Sequence, residues 1–517
     1  MLCYLLEEEE SPPIEEALPE PEESLPPGEE ASAGPPAAPW FISGGVTYNF
    51  TSLDCDPGVA GEQACSNPIQ AAIDYVGNHR LIPDDLTIHI EAGTFTENVS
   101  IDGDTAVNAN NINLQYVRYL TGAGSEPVTG VTVAGGGYKG KFIVNTDGAI
   151  TLANVEARDN KDIGVHLHEF FDLGGGAYRM DAAGAGITVT DSVFNHNGLA
   201  NDQEYDQSDL YVISDSIVTI DGVSARDNME SGVFVQMGID VTVKNSVMLN
   251  NGMGLTFRYE VRGRSTVENV SANFNQYAGI FFEAPGELVM RHVEASHNSG
   301  GAAINTCSYG GDPIYLQNYC VNSYDGNVSI YDSVFNDNGR YPSSNLLNGL
   351  EIIAKGDVLI SETKASGNNR NGMYIINFLY SWSPYDITLT HRITLAGAGR
   401  GNTASGNGWS GVAVTALSNI SIQNLTANDN GGGGLAITNY SFKVGALKPQ
   451  DGFPFVVVSD CSFFNNKTTG VYIYTSGPIT LHHTSSSNNS GGAFLYNNPD
   501  YLAPTGARPN SSWKASS

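Results

Sequence analysis

IVTIDGVSARDNMESGVFV (217–235), VTVKNSVMLNNGMGLTF (241–257), STVENVSANFNQYAGIFF (265–282) and LVMRHVEASHNSGGAAI (288–304) are four near-copies of one unit laid end to end. Aligned on Asp221, Lys244, Glu268 and Arg291, each copy carries an Asn seven places later: Asn228, Asn251, Asn275 and Asn298. The repeat is 23 or 24 residues long. A fixed period of that size marks a solenoid, in which each unit buries its apolar side only against its neighbours.

Outward from this stretch the same register continues. The Asn column extends to Asn160 and Asn197 before it, and to Asn338, Asn368, Asn407, Asn430, Asn466 and Asn489 after it. One apolar column runs Leu152, Val189, Ile220, Val243, Val267, Met290, Ile330, Ile360, Ile422, Val458 and Leu481. A second mixes small and large: Ala157, Phe194, Ala225, Met248, Ala272, Ala295, Phe335, Ala365, Ala427 and Phe463. Inward and outward positions alternate, as extended strands require. The Asn column predicts a tight corner where amides stack from coil to coil. The Gly that follows most of them (Gly164, Gly232, Gly254, Gly279, Gly372, Gly411, Gly434, Gly470, Gly492) is expected to supply a positive φ for leaving that corner. About a dozen coils spaced ~4.8 Å apart make a stack of roughly 55–60 Å. Between the apolar columns, Thr190, Asp221, Lys244, Glu268, Arg291 and Tyr331 predict a cross-strand ladder of alternating charge.

Two segments near the start resemble a known family. NPIQAAIDYV (67–76) reads as a short helix, with Asn67 as N-cap and Pro68 at its first position, and LTIHIEAGTFTENVSI (86–101) alternates as a strand pair does. Together they resemble the opening of right-handed parallel β-helix, pectin-lyase-like proteins, in which a helix caps the exposed first coil. The resemblance implies an all-β fold: a right-handed parallel β-helix solenoid with an N-terminal capping helix and edge-loop insertions. The expected organisation is an acidic Pro/Glu-rich disordered linker (1–42), a cap with opening coils (43–130), the β-helix (131–497) and a tail (498–517). Residues 7–40 hold eleven Glu and nine Pro with no Lys or Arg, a composition too poor in apolar surface to offset its ordering entropy.

The resemblance brings no active site with it. Polygalacturonase-like members show GHG and RxK motifs, and this sequence has neither. Pectate lyases of the fold carry clustered acidic calcium ligands that have no counterpart here. AGTFTEN (92–98) is similar to pectin methylesterases, but their catalytic Asp and Gln motifs are not recognisable. Fold alone does not fix function.

Bulk charge narrows the partners. With 24 Lys and Arg against 56 Asp and Glu, the formal charge is −32. That excludes nucleic acid and anionic membrane surfaces, which need clustered cations. A polyanionic polysaccharide is also repelled at long range unless a local basic patch or bound cations compensate. No run of 18 apolar residues exists, so the sequence holds no transmembrane segment. Met1–Leu6 lacks a basic start and is too short for a signal peptide, and the chain is expected to be part of a longer polypeptide. Cys55 with Cys65, and Cys307 with Cys320, bracket short loops as local staples would; pairing of the latter points to an oxidising, extracellular setting. Cys461 falls in a column of Val, Ser and Thr and is expected to be a buried thiol.

Departures from the repeat are where chemistry is expected. One class of insertion follows the second long strand of a coil: 168–184, 305–326, 377–398 and 439–452. Another follows the Asn corner: 199–209 and 340–348. The last three of the first class come from alternate coils, so their roots are expected about 10 Å apart along one edge. They carry Tyr309, Tyr315, Tyr319 and Tyr324, then Phe378, Tyr380, Trp382 and Tyr385, then Tyr440, Phe442 and Phe453. Such rings suit stacking against sugars, and equally suit small satellite cores that fold the loops down. The candidate ligand-binding set is Tyr309, Tyr315, Tyr319, Phe378, Tyr380, Trp382, Tyr385, Tyr440 and Phe442, for a polysaccharide or a surface glycoprotein. His166 and His168 with Glu169 and Asp172 could approach a metal, but nothing fixes a third ligand, so no metal and no cofactor is expected. Arg258 is expected outward between Gln236 and Glu283, as a structural bridge to Glu283 or as a lyase base.

Three functions follow as expectations. The first is a secreted or cell-surface, non-catalytic, adhesin-like rod that binds glycan or protein. The second is a polysaccharide lyase or glycoside hydrolase, and the third a structural spacer of a giant surface protein.

Overall fold

The structure is a computed structural model of the chain. It describes side chains at residues 150–158, 164–169, 186–197, 208–258, 261–306, 326–339, 348–377, 391–397, 399–439 and 454–497. The strands Val46–Phe50, Leu86–Ile90, Val99–Asp102, Gly130–Ala134, Phe142–Thr146, Phe171–Asp172, Tyr178–Arg179 and Trp513–Lys514 are described by their backbone. The linker expected at 1–42, the capping helix expected at 67–76 and the Cys55/Cys65 and Cys307/Cys320 pairs lie outside the described residues. By its contacts the chain divides into Met1–Ile42 and Ser43–Ser517, and the description below concerns the second.

One coil sets the pattern. Ile217–Asp221 runs in a first sheet, Ser224–Arg226 in a second and Ser231–Gly238 in a third, and Asp240–Lys244 then starts the next coil beside Ile217–Asp221. The first and third sheets each collect fifteen strands, about 67 Å at a strand spacing of ~4.8 Å. That exceeds the length expected from the Asn column because the opening strands join the same sheets. The second sheet is built of two- and three-residue strands and isolated bridges, Ser271↔Glu294↔Val334↔Lys364↔Thr403 among them. Pairing is parallel except for a small hairpin inside the first insertion, Phe171–Asp172 with Tyr178–Arg179, and the strand Trp513–Lys514, which runs antiparallel to Ala493–Asn497.

The inward columns form one continuous core. The first apolar column is buried from Leu152 to Val458, and the second from Ala157 to Phe463. The structure adds Leu395 and Ala404 to them, members hidden in the sequence because flanking insertions break the spacing. Cys461 is a buried free thiol, and its burial raises its pKa to about 11.

The Asn column is a ladder. Each backbone N–H from Asn197 to Asn466 donates to the side-chain oxygen of the Asn one coil on, at 2.7–3.1 Å. The role expected of the following Gly is corrected. Positive φ falls on the residue before the ladder Asn, such as Asp227 (62°), Asn250 (56°) and Phe274 (61°), while most of those Gly have ordinary φ. They are Gly because a Cβ has no room: at Gly254 it would lie 2.4 Å from the Gly279 carbonyl, and at Gly232 2.7 Å from the Asn251 amide. Only Gly492, in the last coil, has the expected positive φ, 66°.

A further ladder, not foreseen, runs along the outside of the second sheet. Backbone N–H groups of Ser296, Asn336, Ser366, Ser405, Asn428 and Phe464 donate to the side chains of Asn273, Ser296, Asn336, Ser366, Ser405 and Asn428. The charge ladder expected on the first sheet is mostly not formed. Lys244 pairs with Asp221 at 3.1 Å, but Arg291 lies over the Tyr331 ring at 5.1 Å, and Glu268 has no ion pair among the described residues. At an exposed position an aromatic face competes well with a solvated carboxylate.

Candidate ligand-binding face

The proposed aromatic set, Tyr309, Tyr315, Tyr319, Phe378, Tyr380, Trp382, Tyr385, Tyr440 and Phe442, lies outside the described residues. Its roots are described. The strands Gly300–Asn305, Met373–Asn377 and Leu435–Asn439 all belong to the third sheet, and one strand separates each from the next, Leu350–Ile353 and then Val412–Ala416. The insertions therefore leave from alternate coils along a single edge. Buried polar side chains hold the roots. Thr306 Oγ1 donates to the Gly326 carbonyl at 3.1 Å, closing the base of the 305–326 insertion. Asn377 Nδ2 donates to the carbonyls of Ala354 and Gly356 at 3.1 and 2.7 Å, and Asn439 exchanges bonds with the Ser418 backbone at 3.1 and 2.9 Å.

Outward positions of this sheet are aromatic or charged in several coils, with Ala and Thr between them. At the N-terminal end His166 and His168 meet edge-on with centroids 4.0 Å apart, and His166 packs on Tyr211 at 4.5 Å. Tyr211 stacks on Phe234 at 5.0 Å and donates its hydroxyl to Gln236 Oε1. Burial lowers the His168 pKa to about 4, so this imidazole is neutral and packed rather than presented to solvent. No cluster of metal-ligating side chains forms among the described residues. Arg258 sits between Gln236 and Glu283, pairing with Glu283 at 3.6 Å and lying over Phe281 at 5.4 Å, as the structural reading required.

A second group lies between the insertion roots. Glu351 and Tyr374 are neighbours in register, and Glu351 Oε2 accepts from Asn348 Nδ2 at 2.7 Å. Asn348 Oδ1 in turn accepts from the Asn371 backbone and side chain, both at 3.1 Å. Burial raises the Glu351 carboxyl above its ordinary range, more than the Asn348 bond and the Arg370 charge lower it. Burial, and then the Glu351 charge, raises the Tyr374 phenol. Arg370 lies over the Trp409 indole at 5.0 Å, and Trp409 is 55% exposed. The next corner along is Gly431–Gly433, which leaves no side chain beside that indole. Sequence reasoning missed this group because its members come from different coils and only the register brings them together.

At the C-terminal end the same face becomes a shelf of rings. Tyr472 pairs in register with Phe494, and Tyr474 with Tyr496. Tyr474 and Tyr496 stack at 4.9 Å with an interplanar angle of 5°, and Tyr472 and Phe494 are 39% and 45% exposed. Residues two apart on one strand share a face about 7 Å apart, so the four side chains group on one outer face, with the Tyr474 and Tyr496 rings stacked on each other.

These observations meet the comparisons with known proteins. The chain belongs to the right-handed β-helix family, whose model matches residues 140–310 and 396–503, more than half its length. No curated protein matches the sequence. Among solved structures, the A-module of the Azotobacter vinelandii mannuronan C-5 epimerase AlgE6 is 15% identical, over 82% of this chain and 92% of that one, with a TM-score of 0.35. The Dettilon tailspike protein is 11% identical over 60% of this chain and 62% of that one, TM-score 0.33. The catalytic domain of a GH87 alpha-1,3-glucanase is 12% identical over 84% and 69%, TM-score 0.36. Likeness at this level says nothing of ligand or chemistry.

Proposed function

We propose that this chain is a secreted or surface-displayed, non-catalytic β-helix that binds glycan, or the glycan of a surface protein, along the outer face of its third sheet. The observation that carries the proposal is the group of Tyr472, Tyr474, Phe494 and Tyr496 on one outer face of neighbouring coils, with Tyr472 and Phe494 exposed and Tyr474 stacked on Tyr496. Aromatic faces with polar tips suit sugar rings, and Trp409 beside a glycine corner offers one more such surface. The test is a glycan array with the wild-type chain and the Tyr474→Ala and Phe494→Ala variants. Loss of one stacked ring is expected to weaken binding roughly two- to tenfold. Undiminished binding by both variants would remove the shelf from the account. Trp382→Ala and Tyr380→Ala test the insertion aromatics in the same way.

A second function, a polysaccharide lyase or hydrolase, is favoured by one observation. A carboxyl held above its usual range beside a tyrosine suits proton transfer, and Glu351 with Tyr374 has that arrangement. Incubation with a polysaccharide panel, read by ultraviolet absorbance of unsaturated products and by reducing ends, decides it. Product formed by the wild type and lost in Glu351→Gln would establish the activity; no product from any substrate leaves binding.

A further inference from the structure

The opposite side of the stack, where the first sheet turns into the second, holds a feature that the glycan face does not use. Successive coils turn this corner through His292, Asp332, Glu362 and Gly401, each with positive φ. Before Gly401 the chain runs through residues 397–400, which the preceding coils lack. Three side chains tie this detour down. Glu362 Oε1 accepts from the Gly399 N–H at 3.0 Å, Asn424 Nδ2 donates to the Gly397 carbonyl at 2.8 Å, and Asn402 Nδ2 donates to the Ala396 carbonyl at 3.1 Å. Arg400 is thereby carried over a groove of about 620 Å³ whose floor includes Val334, Lys364 and Thr403.

The charged groups of the groove are unequally engaged. Asp332 faces the His292 imidazole at 3.9 Å, and Glu362 accepts the Gly399 N–H. The Ser333 and Thr363 hydroxyls donate to backbone carbonyls of their own coils, at 2.7 and 3.0 Å. Lys364 and Arg400 are exposed and have no ion pair among the described residues. In a chain of charge −32 with only 24 Lys and Arg, two cations without an ion pair among the described residues line one groove, where an anionic ligand could meet them. An ammonium and a planar guanidinium lining the same groove suit an oxyanion. The two carboxylates beside them can accept from hydroxyls but oppose dense negative charge.

We infer that this groove binds a small hydroxylated ligand carrying a single oxyanion, a carboxylate or a sulfate ester, held by Lys364 and Arg400. The site is separate from the glycan face and does not rest on it. Isothermal titration at about 10 mM salt, where screening is weakest, uses D-glucuronate and D-glucose 6-sulfate as probes and D-glucose as the neutral control. Saturable one-to-one binding of either anionic probe is expected, with glucose silent; which of the two binds separates carboxylate from sulfate. Lys364→Ala and Arg400→Ala should each weaken it at least fivefold, Arg400→Lys less, and the double variant should abolish it while its thermal unfolding is unchanged. The Tyr474→Ala variant should bind the anionic probe as the wild type does, so failure of the shelf leaves this result readable. Absence of saturable binding by both anionic probes, equal binding of glucose, or equal binding by the double variant would overturn the assignment.

Discussion

The coils between Ile217 and Gly301 and those between Val328 and Asn439 share one core and differ in the length of chain between its positions. In the first stretch successive ladder asparagines are 23 or 24 residues apart; on entering and crossing the second the separations become 40, 30, 39 and 23. Yet Ile330, Ile360, Leu395 and Ile422 hold the same inward column as Ile220, Val243, Val267 and Met290. The extra residues leave at corners, so inward positions set the register and corners take up chain length. The irregular half also holds Glu351, Tyr374, Arg370, Trp409, Lys364 and Arg400. Regularity occupies many polar groups with stacking, and departure from it leaves others outside the ladders.

The largest effect that can break this comparison is expected inside the irregular half. Phe335 is fully buried between Ala295 and Ala365 of the flanking coils and fills the space that both leave. Phe335→Ala should cost about 3–5 kcal/mol in denaturant unfolding. Phe274→Ala, in the regular half but 41% exposed, should cost well under that. Equal costs would mean that the columns do not govern the irregular coils. Next comes Gly254→Ala, whose Cβ would meet the Gly279 carbonyl at 2.4 Å; about 2–3 kcal/mol is expected, from overpacking and not from φ. A loss below that of Gly492→Ala, where φ is 66° and nothing lies within 4 Å, would restore φ as the reason for the glycine column.

This contrast explains how much the sequence discloses. The columns, the Asn corner, the alternate-coil roots and the Arg258 bridge were legible because each depends on position within one repeat. The ladder through Asn273, Ser296, Asn336, Ser366, Ser405 and Asn428 was not, since Ser and Asn are interchangeable acceptors there and no single letter recurs. Leu395 and Ala404 were hidden by the detour at 397–400. Neither the Glu351 group nor the Lys364/Arg400 groove has a motif, because its members come from coils 20 to 40 residues apart and meet only when stacked.

Asp209 offers a sharper test, since it stands where other coils have the crowded Gly, in register with Gly232. It is fully buried and accepts from Asn197 Nδ2 at 2.6 Å, while its Oδ2 has no partner among the described residues. Burial raises its pKa well above the ordinary carboxylate range. A folded-state pKa above the unfolded one means that the native chain holds the proton more tightly. Stability is therefore greatest below the unfolded pKa, about 4, and falls as pH rises through the folded value. Asp209→Asn mimics the protonated acid. It should match the wild type at pH 4, exceed it by about 1–2 kcal/mol at pH 7 and flatten the pH profile. Unchanged pH dependence in this variant would place the titration elsewhere.

The smallest effect is expected from the feature that looks most ordered in the sequence, the charge column of the regular half. Lys244 and Asp221 are 39% and 31% exposed, and the carboxyl is lowered first by the Asn245 amide, which donates to it at 2.8 Å, and only then by Lys244. Lys244→Ala leaves the amide bond in place, so the loss should be below about 0.5 kcal/mol and vanish in 1 M salt. Asn245→Ala removes that bond and also puts Ala at φ 50°, so it should cost more, by about 1–2 kcal/mol for the left-handed backbone alone. If the order is reversed, the charges and not the corners hold neighbouring coils in register, and the distinction between the two halves of the stack would have to be drawn from electrostatics.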